Sequence, residues 1–359
     1  MTRGTISNVG SSGGSGDDSS GKSGKSGNSG NSGSRAPASM PSSDAKRADG
    51  IGEAAGATSK TASGETRRSR VAVLTGATGG IGRWIALGLV KAGYHVVIIC
   101  RDRARGERLQ QWLAQQTTLQ VSTELHIADL SSLSETRLVG QRIATAYPAV
   151  SLLVNNAGMF SAKRHVTAEG RERVLAVNHL SPYVLIDTLE AALRAGAPSR
   201  IINVGSSTSD SGGIDAQRLE RSSGLSLHSW NMVRAYRESK LAMMLTTFAR
   251  AERLQGSGVV ANVVHPGTVA TGLIRERGPI GLAWKIMAPY CLNEEQGAQT
   301  PLFAALDPAW ATITGQYVKK CAVARPNRRS ANARLRTDVD AATRTLIATT
   351  ETTPTTVGA

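Results

Sequence analysis

From Val71 onward the chain repeats one pattern: a short, β-branched apolar run, a break, then a longer segment with apolar residues at helical spacing. Val71–Thr75 stops at Gly76, and a helical pattern starts near Ile81. The alternation continues through strand Val96–Cys100, helix Ala104–Gln115, strand Val121–Ile127, helix Ser134–Ala146 and strand Ser151–Val154. A long helix from about Glu169 to Arg194, interrupted at Pro182, precedes strand Arg200–Val204, helix Trp230–Leu254 and strand Val259–Val264. Strands this apolar are buried on both faces, which with regular βα alternation predicts a parallel, doubly wound sheet covered by helices. One α/β domain, residues 70–350, accommodates all of it, with 351–359 as a flexible tail.

Residues 1–69 are dominated by Ser, Gly, Ala and charge and cannot bury enough apolar surface to offset the entropy of ordering, so a disordered tail is expected. Gly16 to Ser23 satisfies the GxxxxGK[ST] phosphate-loop pattern, but no strand precedes it and no periodic helix follows. The glycines at every third position from Gly21 to Gly33 form too short a run, without proline, for a collagen helix.

The net charge is +15, of which residues 1–69 carry +3 and residues 319–359 carry +5, leaving +7 for the middle. Such a basic core fits nucleic acid, an anionic membrane or a phosphorylated ligand. Aromatic residues make up only 4% and nowhere interleave with Lys/Arg, which favours the phosphorylated ligand over a nucleic-acid surface. Cys100, Cys291 and Cys321 are widely spaced, without CxxC or His partners, so neither a disulfide framework nor a metal site is expected. The most apolar segment, Trp84–Cys100, falls short of a membrane span, and no apolar signal segment opens the chain. A cytoplasmic protein is expected, although the Ser-rich, mildly basic leader leaves a transit peptide open against its six acidic residues.

Chemistry enters at Thr75-Gly76-Ala77-Thr78-Gly79-Gly80-Ile81-Gly82, between the first strand and the first helix. Gly76, Gly80 and Gly82 permit a tight turn and close approach of a pyrophosphate, which the helix N-terminus holds with its free N–H groups and dipole. This predicts a Rossmann-type dinucleotide site. The second strand ends Ile99-Cys100-Arg101, placing a cation where an NAD site would offer a carboxylate, with Arg83 as a candidate second cation. NADP is therefore expected over NAD, and Asp102 as a ribose acid is the alternative. Tyr236 and Lys240 lie one helical turn apart, where a lysine cation can favour the phenolate; a surface pair on an amphipathic helix is the plainer alternative.

These residues resemble the short-chain dehydrogenase/reductase family across nearly the whole ordered region. Thr75 to Gly82 is similar to its TGxxxGxG loop, Asn155-Asn156-Ala157-Gly158 to its NNAG, Tyr236 to Lys240 to its YxxxK, and Pro266-Gly267 to its PG turn. Cys100-Arg101-Asp102, Val177-Asn178-His179-Leu180, His265-Pro266-Gly267, Glu295 to Thr300 and Gly315 to Tyr317 resemble its retinol-dehydrogenase-like branch. A local likeness to protochlorophyllide reductases lies around Lys240–Leu245.

The resemblance implies a catalytic tetrad of Asn178, Ser206, Tyr236 and Lys240, in which Tyr236 exchanges a proton with a carbonyl oxygen as hydride moves. Ser206 would stabilise that oxygen, with Ser207 the alternative, and Asn178 would link Lys240 to solvent through water unless it only bonds a local carbonyl. It further implies cofactor contacts from Gly76, Thr78, Gly80, Ile81, Gly82, Arg101, Asn156, Ala157 and Gly158, with Tyr236 and Lys240. Asp129 and Leu130 would contact adenine, Asp129 being otherwise an exposed loop acid, and Pro266, Gly267, Val269 and Thr271 would meet the nicotinamide carboxamide. His265 is expected to be structural.

Leu282–Leu292, apolar and following Arg275-Glu276-Arg277, is expected either to close over a lipophilic ketone or aldehyde or to pack on the core, and Ser209–Ser229 to form part of the substrate wall. Reduction by NADPH is the expected direction. A homo-oligomer pairing the long helix and the Tyr236 helix is a family-level expectation. The rival readings are a catalytically silent NADP-binding sensor or scaffold, which the complete tetrad opposes, and a basic tail anchored on membrane or nucleic acid.

Overall fold

The computed structural model describes residues 70–119, 122–221, 230–269 and 291–351. Seven parallel strands and one antiparallel strand form a single sheet in the order β3-β2-β1-β4-β5-β6-β7-β8. The first six are β1 (Arg70–Thr75), β2 (Tyr94–Cys100), β3 (Thr123–Ile127), β4 (Leu152–Asn155), β5 (Ser199–Val204) and β6 (Val259–His265). The last two, β7 (Tyr317–Lys319) and β8 (Ala322–Ala324), form a terminal hairpin. Strand order reverses at the β1–β4 pair, where Ala72 lies opposite Leu152 and Leu74 opposite Val154. In an open α/β sheet, ligands bind beyond the carboxyl ends of the strands at such a reversal.

The helices are α1 (Ile81–Lys91), α2 (Arg103–Gln115), α3 (Leu133–Ala146), α4 (Arg173–Leu175), α5 (Ser181–Ala195), α6 (Ala216–Arg221), α7 (Met232–Arg253), α8 (Glu294–Leu306) and α9 (Ala333–Glu351). One core cluster lies where α1 and α8 cover β1, β2 and β4 (Leu74, Ile85, Leu89, Ile98, Ala304), another where α3 and α5 cover the opposite face (Val73, Val97, Ile143, Leu185, Leu189). A third joins α7 to α9 through Leu241, Leu245, Val339, Ala342 and Leu346. Both faces of the central strands are therefore buried, as their unbroken apolar runs require.

The helix expected from Glu169 starts instead at Arg173. Glu169 is drawn to the next layer, where its carboxylate accepts from Leu133 N (2.7 Å) and Ser134 N (3.0 Å) at the start of α3. Between α4 and α5 the chain makes a π-helical turn, Ala176–Leu180. Pro182 accounts for it: without an N–H it cannot donate to the carbonyl of Asn178, and its ring would clash there in a regular helix. Asp102 accepts from Arg105 N (3.0 Å) as the N-cap of α2, so that helix starts at Arg103. After β6 only the segment 282–292 was expected, as a lid or packed on the core, yet α8, the hairpin and α9 complete the fold. Among the described residues, no helix is long and apolar enough to cross a membrane.

Candidate active site

The crevice is lined by the loops that leave β1, β2, β4, β5 and β6. At the first, Gly76 (φ 68°) and Gly80 (φ 60°) occupy left-handed backbone that other residues adopt at a cost. A Cβ on Gly82 would run into the Gly76 carbonyl oxygen and lie 2.6 Å from Asn156 Nδ2; one on Gly76 would lie 2.7 Å from Ala157 Cα. The β1 and β4 loops are thus in direct backbone contact. They are also bonded: Asn156 Nδ2 donates to the carbonyls of Thr75 (3.1 Å) and Gly76 (2.9 Å). The Thr75 hydroxyl accepts from Asn156 N (3.0 Å) and Ala157 N (2.9 Å). Asn156 and Ala157 therefore shape the glycine turn. The N-terminus of α1 carries no side-chain cap and no acidic residue in its first turn, leaving its N–H groups for a ligand.

At the end of β2, Arg101 is exposed and makes no ion pair among the described residues. Asp102 is occupied as the α2 cap, which weighs against it as a ribose acid. Arg83, the second cation expected from sequence, instead pairs with Glu294 (3.3 Å) and stacks on Trp84 and Trp112. Arg105 is the arginine that reaches the glycine turn, its Nη2 donating to Thr78 O (3.2 Å). Sequence reasoning missed it, although a cation four residues after Arg101 at the start of a helix was a signal that could have found it. Asp129 uses one carboxylate oxygen to accept from Ser131 N (2.9 Å), and Leu130 beside it is half-buried.

The four candidate residues converge from three elements: the π-turn, the loop after β5 and α7. Asn178, in the π-turn and fully buried, donates from Nδ2 to Met159 O (2.9 Å) and to Ser239 Oγ (3.1 Å), and its Oδ1 accepts from Met159 N (2.8 Å). It ties the β4 loop to α7. Lys240, 4% exposed, donates from Nζ to Val204 O at the end of β5 (2.8 Å), and burial lowers its pKa to about 8. A Cβ on Gly158 would lie 3.4 Å from Lys240 Nζ and 3.5 Å from Asn178 Oδ1, so this glycine separates the two.

Tyr236 is half-buried, lies beside Ser206 and is in edge contact with Phe160 (ring centroids 5.7 Å). Sequence reasoning expected Lys240 to favour its phenolate. Without a ligand, desolvation raises the Tyr236 pKa, and the neighbouring Ser206 hydroxyl acts in the opposite direction. Of the two candidate serines, Ser206 is the one close enough to act on Tyr236; its Oγ accepts from Thr208 Oγ1 (3.0 Å). The turn carrying it is held by a residue sequence reasoning did not find: Asn327 Nδ2 donates to the carbonyls of Ser209 (2.6 Å), Asp210 (3.1 Å) and Gly212 (3.1 Å). More than a hundred positions separate them, so no local signal could reveal it.

After β6, Pro266-Gly267 turns the chain with Gly267 at φ 92°, where a Cβ would lie 2.5 Å from Leu292 Cδ1. Val269 is buried against Gly297 of α8 and near Ile81. Thr271 and the segment 275–277 lie outside the described residues, as do residues 282–290 of the expected lid, 222–229 of the expected wall, and the 1–69 and 352–359 tails. His265 is buried, and desolvation aided by Lys319 lowers its pKa to about 4, in line with a structural residue.

A glycine turn at the strand-order reversal, with a Tyr–Ser–Lys–Asn cluster beside it, defines a Rossmann-type dinucleotide-binding fold carrying proton-transfer groups. The family model described as short chain dehydrogenase matches residues 70–217. Retinol dehydrogenase 12 of Bos taurus is 34% identical over 70% of this chain and 78% of its own length, and human retinol dehydrogenase 11 is 34% identical over 71% and 78%. Among solved structures, the Pseudomonas aeruginosa RhlG/NADP active-site complex shares 27% identity (TM-score 0.55, 70% of this chain and 94% of that one). A blue fluorescent protein from a metagenomic library, in complex with NADPH, shares 26% (TM-score 0.55, 70% and 96%). The chain belongs to the short-chain dehydrogenase/reductase family, in its retinol-dehydrogenase-like branch.

Proposed function

We propose that this protein is an NADP-dependent reductase that interconverts a lipophilic carbonyl compound and its alcohol, with Tyr236 as the acid/base. The observation that carries the reading is the placement of Ser206 beside Tyr236, next to a glycine turn that a dinucleotide fits. The fit rests on the close β1–β4 approach, the uncapped α1 N-terminus, and the arginines at the end of β2. Gly76 to Gly82 would hold the pyrophosphate, Arg101 and Arg105 the ribose phosphate, Asp129 and Leu130 the adenine, and the Pro266–Val269 turn the carboxamide, with Thr271 assigned by resemblance alone. The structures with NADP or NADPH named above support the choice of cofactor.

Hydride for the carbonyl carbon would come from an NADPH held by these residues. The phenol of Tyr236 donates its proton to the carbonyl oxygen, and the Ser206 hydroxyl stabilises the charge that develops on it. Its raised pKa keeps Tyr236 protonated and ready to donate. A cationic Lys240 favours the phenolate that donation leaves behind. Asn178, whose backbone carbonyl cannot receive an N–H from Pro182, would hold a water that returns a proton towards Lys240. The apolar residues of 282–290, with Phe160 at Tyr236, support a lipophilic substrate. Cytoplasmic residence remains our reading, and a homo-oligomer would use surfaces other than the side of α7 that α9 covers.

The test is NADPH consumption by the purified protein with a panel of medium and large aldehydes and ketones. Cofactor binding without turnover of any of them would favour the sensor reading. The phosphate assignment has its own check. Arg101→Ala or Arg105→Ala should weaken NADPH binding by about 1.5–3 kcal/mol, the worth of a hydrogen bond to a charged group, and leave NADH binding nearly unchanged. Calorimetric titration with both cofactors reads this directly, and equal losses for the two would remove these arginines from the phosphate site.

A further inference from the structure

One short stretch concentrates positive charge that a dinucleotide held by Arg101 and Arg105 does not account for. Residues 319–336 contain seven Lys/Arg and no Asp or Glu. Along the chain they belong to a basic tail, but in the fold they form an ordered edge. The stretch begins in the β7–β8 hairpin, at the last strand of the sheet, continues through a 3₁₀ turn (Arg328–Ala331) and enters α9.

Three of the seven cations have an acid beside them. Arg336 pairs with Glu252 (2.6 Å), Arg334 faces Asp338 (3.8 Å), and Lys319 lies near Asp210. The other four, Lys320, Arg325, Arg328 and Arg329, are exposed and make no ion pair among the described residues. The backbone that carries them is fixed. Lys320 and Cys321, at φ 52° and 56°, make the tight turn of the hairpin. Asn327 Oδ1 accepts from Arg329 N (2.8 Å), and Asn327 O accepts from the Ser330 hydroxyl (2.6 Å). Four like charges are thus held within a short ordered segment without an acid to offset them, and their mutual repulsion is relieved by a polyanion.

Two further observations choose the polyanion. Val323, between Lys320 and Arg325, is 58% exposed, so an apolar side chain stands among the cations. Residues 319–336 contain no aromatic side chain on which a base could stack. Apolar contact flanked by Lys and Arg suits a bilayer interface that carries anionic headgroups. Another protein strand fits less well, because β8 is only three residues long.

We infer that the β8 edge docks the protein on anionic lipid bilayers, with Lys320, Arg325, Arg328 and Arg329 on the headgroups and Val323 among them. The docking itself does not depend on the reductase reading. Asn327 ties this edge to the turn that follows Ser206, so the docked surface adjoins the candidate active site. Under the proposed function, that brings the site to the phase in which a lipophilic substrate dissolves.

Co-sedimentation of the full chain with vesicles tests it, using phosphatidylcholine alone and phosphatidylcholine mixed with phosphatidylserine. Binding should require phosphatidylserine and weaken as salt is raised. The triple variant Lys320→Asn, Arg325→Ala, Arg328→Ala should partition on the order of 100-fold more weakly, at about fivefold for each cation removed. Asparagine tolerates the left-handed backbone at position 320, and the thermal midpoint should be unchanged. Should the triple variant prove unstable, Lys320→Asp alone should still weaken binding by about fivefold or more. No binding, equal binding to both kinds of vesicle, or phosphatidylserine binding that the variants retain overturns the inference. Tighter binding to duplex DNA, lost in the same variants, would overturn it in favour of nucleic acid. NADPH turnover is read without vesicles, so the reductase reading stands or falls separately.

Discussion

Tyr236→Phe should lower kcat for carbonyl reduction by about 10²–10⁴-fold, the usual worth of a positioned general acid, with NADPH affinity unchanged. The phenylalanine ring retains the edge contact with Phe160 and loses only the hydroxyl, so the packing of α7 is preserved. Stopped-flow or steady-state NADPH consumption, paired with cofactor titration, separates chemistry from binding. A loss below about tenfold would move the acid elsewhere. Lys240 gives the same site a pH signature. Its pKa of about 8 is low because burial disfavours the ammonium, so the cation is present below that pH and is lost as pH rises through it. The kcat/KM for reduction should therefore fall above about pH 8. In Lys240→Arg, whose guanidinium stays charged throughout this range, that fall should be absent even where the absolute rate is lower.

Asp340→Ala should destabilise the folded protein by about 3 kcal/mol, the lower end for breaking a buried ion pair. Asp340 is 1% exposed on α9; its carboxylate accepts from Arg253 Nη1 (2.5 Å) and Nη2 (3.1 Å), from Tyr183 Oη (3.1 Å), and pairs with Arg344 (3.3 Å). Arg253 and Arg344 both reach solvent and can rehydrate, which keeps the loss at the lower end. Tyr183 cannot, being 4% exposed. Urea unfolding of the native and variant proteins reads the difference. A change under about 1 kcal/mol would mean that α9 docks by its apolar face alone.

The same interface predicts a direction with pH. His179, fully buried in the π-turn, bonds Thr343 of α9 (2.9 Å), and desolvation lowers its pKa to about 3. Its folded value lies below the ordinary 6.5, so its contribution is complete above pH 6.5 and is lost as pH falls towards 3. His265, lowered to about 4, acts in the same direction. The turn that carries Asn178 is thereby fixed from outside the crevice, by a helix that touches none of the reacting groups.

Much of the architecture was legible from residues 71–265. The strands announced themselves because burial on both faces demands unbroken β-branched runs, and the glycine turn because only glycine permits that backbone approach. Pro182 marked the place where a regular helix fails, and the π-turn is the protein's response to it. Tyr236, Lys240, Asn178 and Ser206 were all named from local motifs, and the fold brings them to one crevice.

The remainder depended on distance. Arg83 and Arg105 are both arginines beside the glycine turn, and their order in the chain does not reveal that Glu294 engages one while Thr78 receives the other. Ser206 and Ser207 differ by one position, and only the fold shows that Ser206 lies beside Tyr236 and that Asn327 holds the turn that follows. The sequence by itself determined the sheet, the glycine turn and the candidate reacting groups, because short-range periodicity and backbone sterics are written in neighbouring residues. The tertiary structure alone decided the partners and protonation of those groups. Desolvation and hydrogen bonding depend on which distant segments pack together, and that packing places Lys240 on the Val204 carbonyl, lowers its pKa, and keeps the proton on Tyr236.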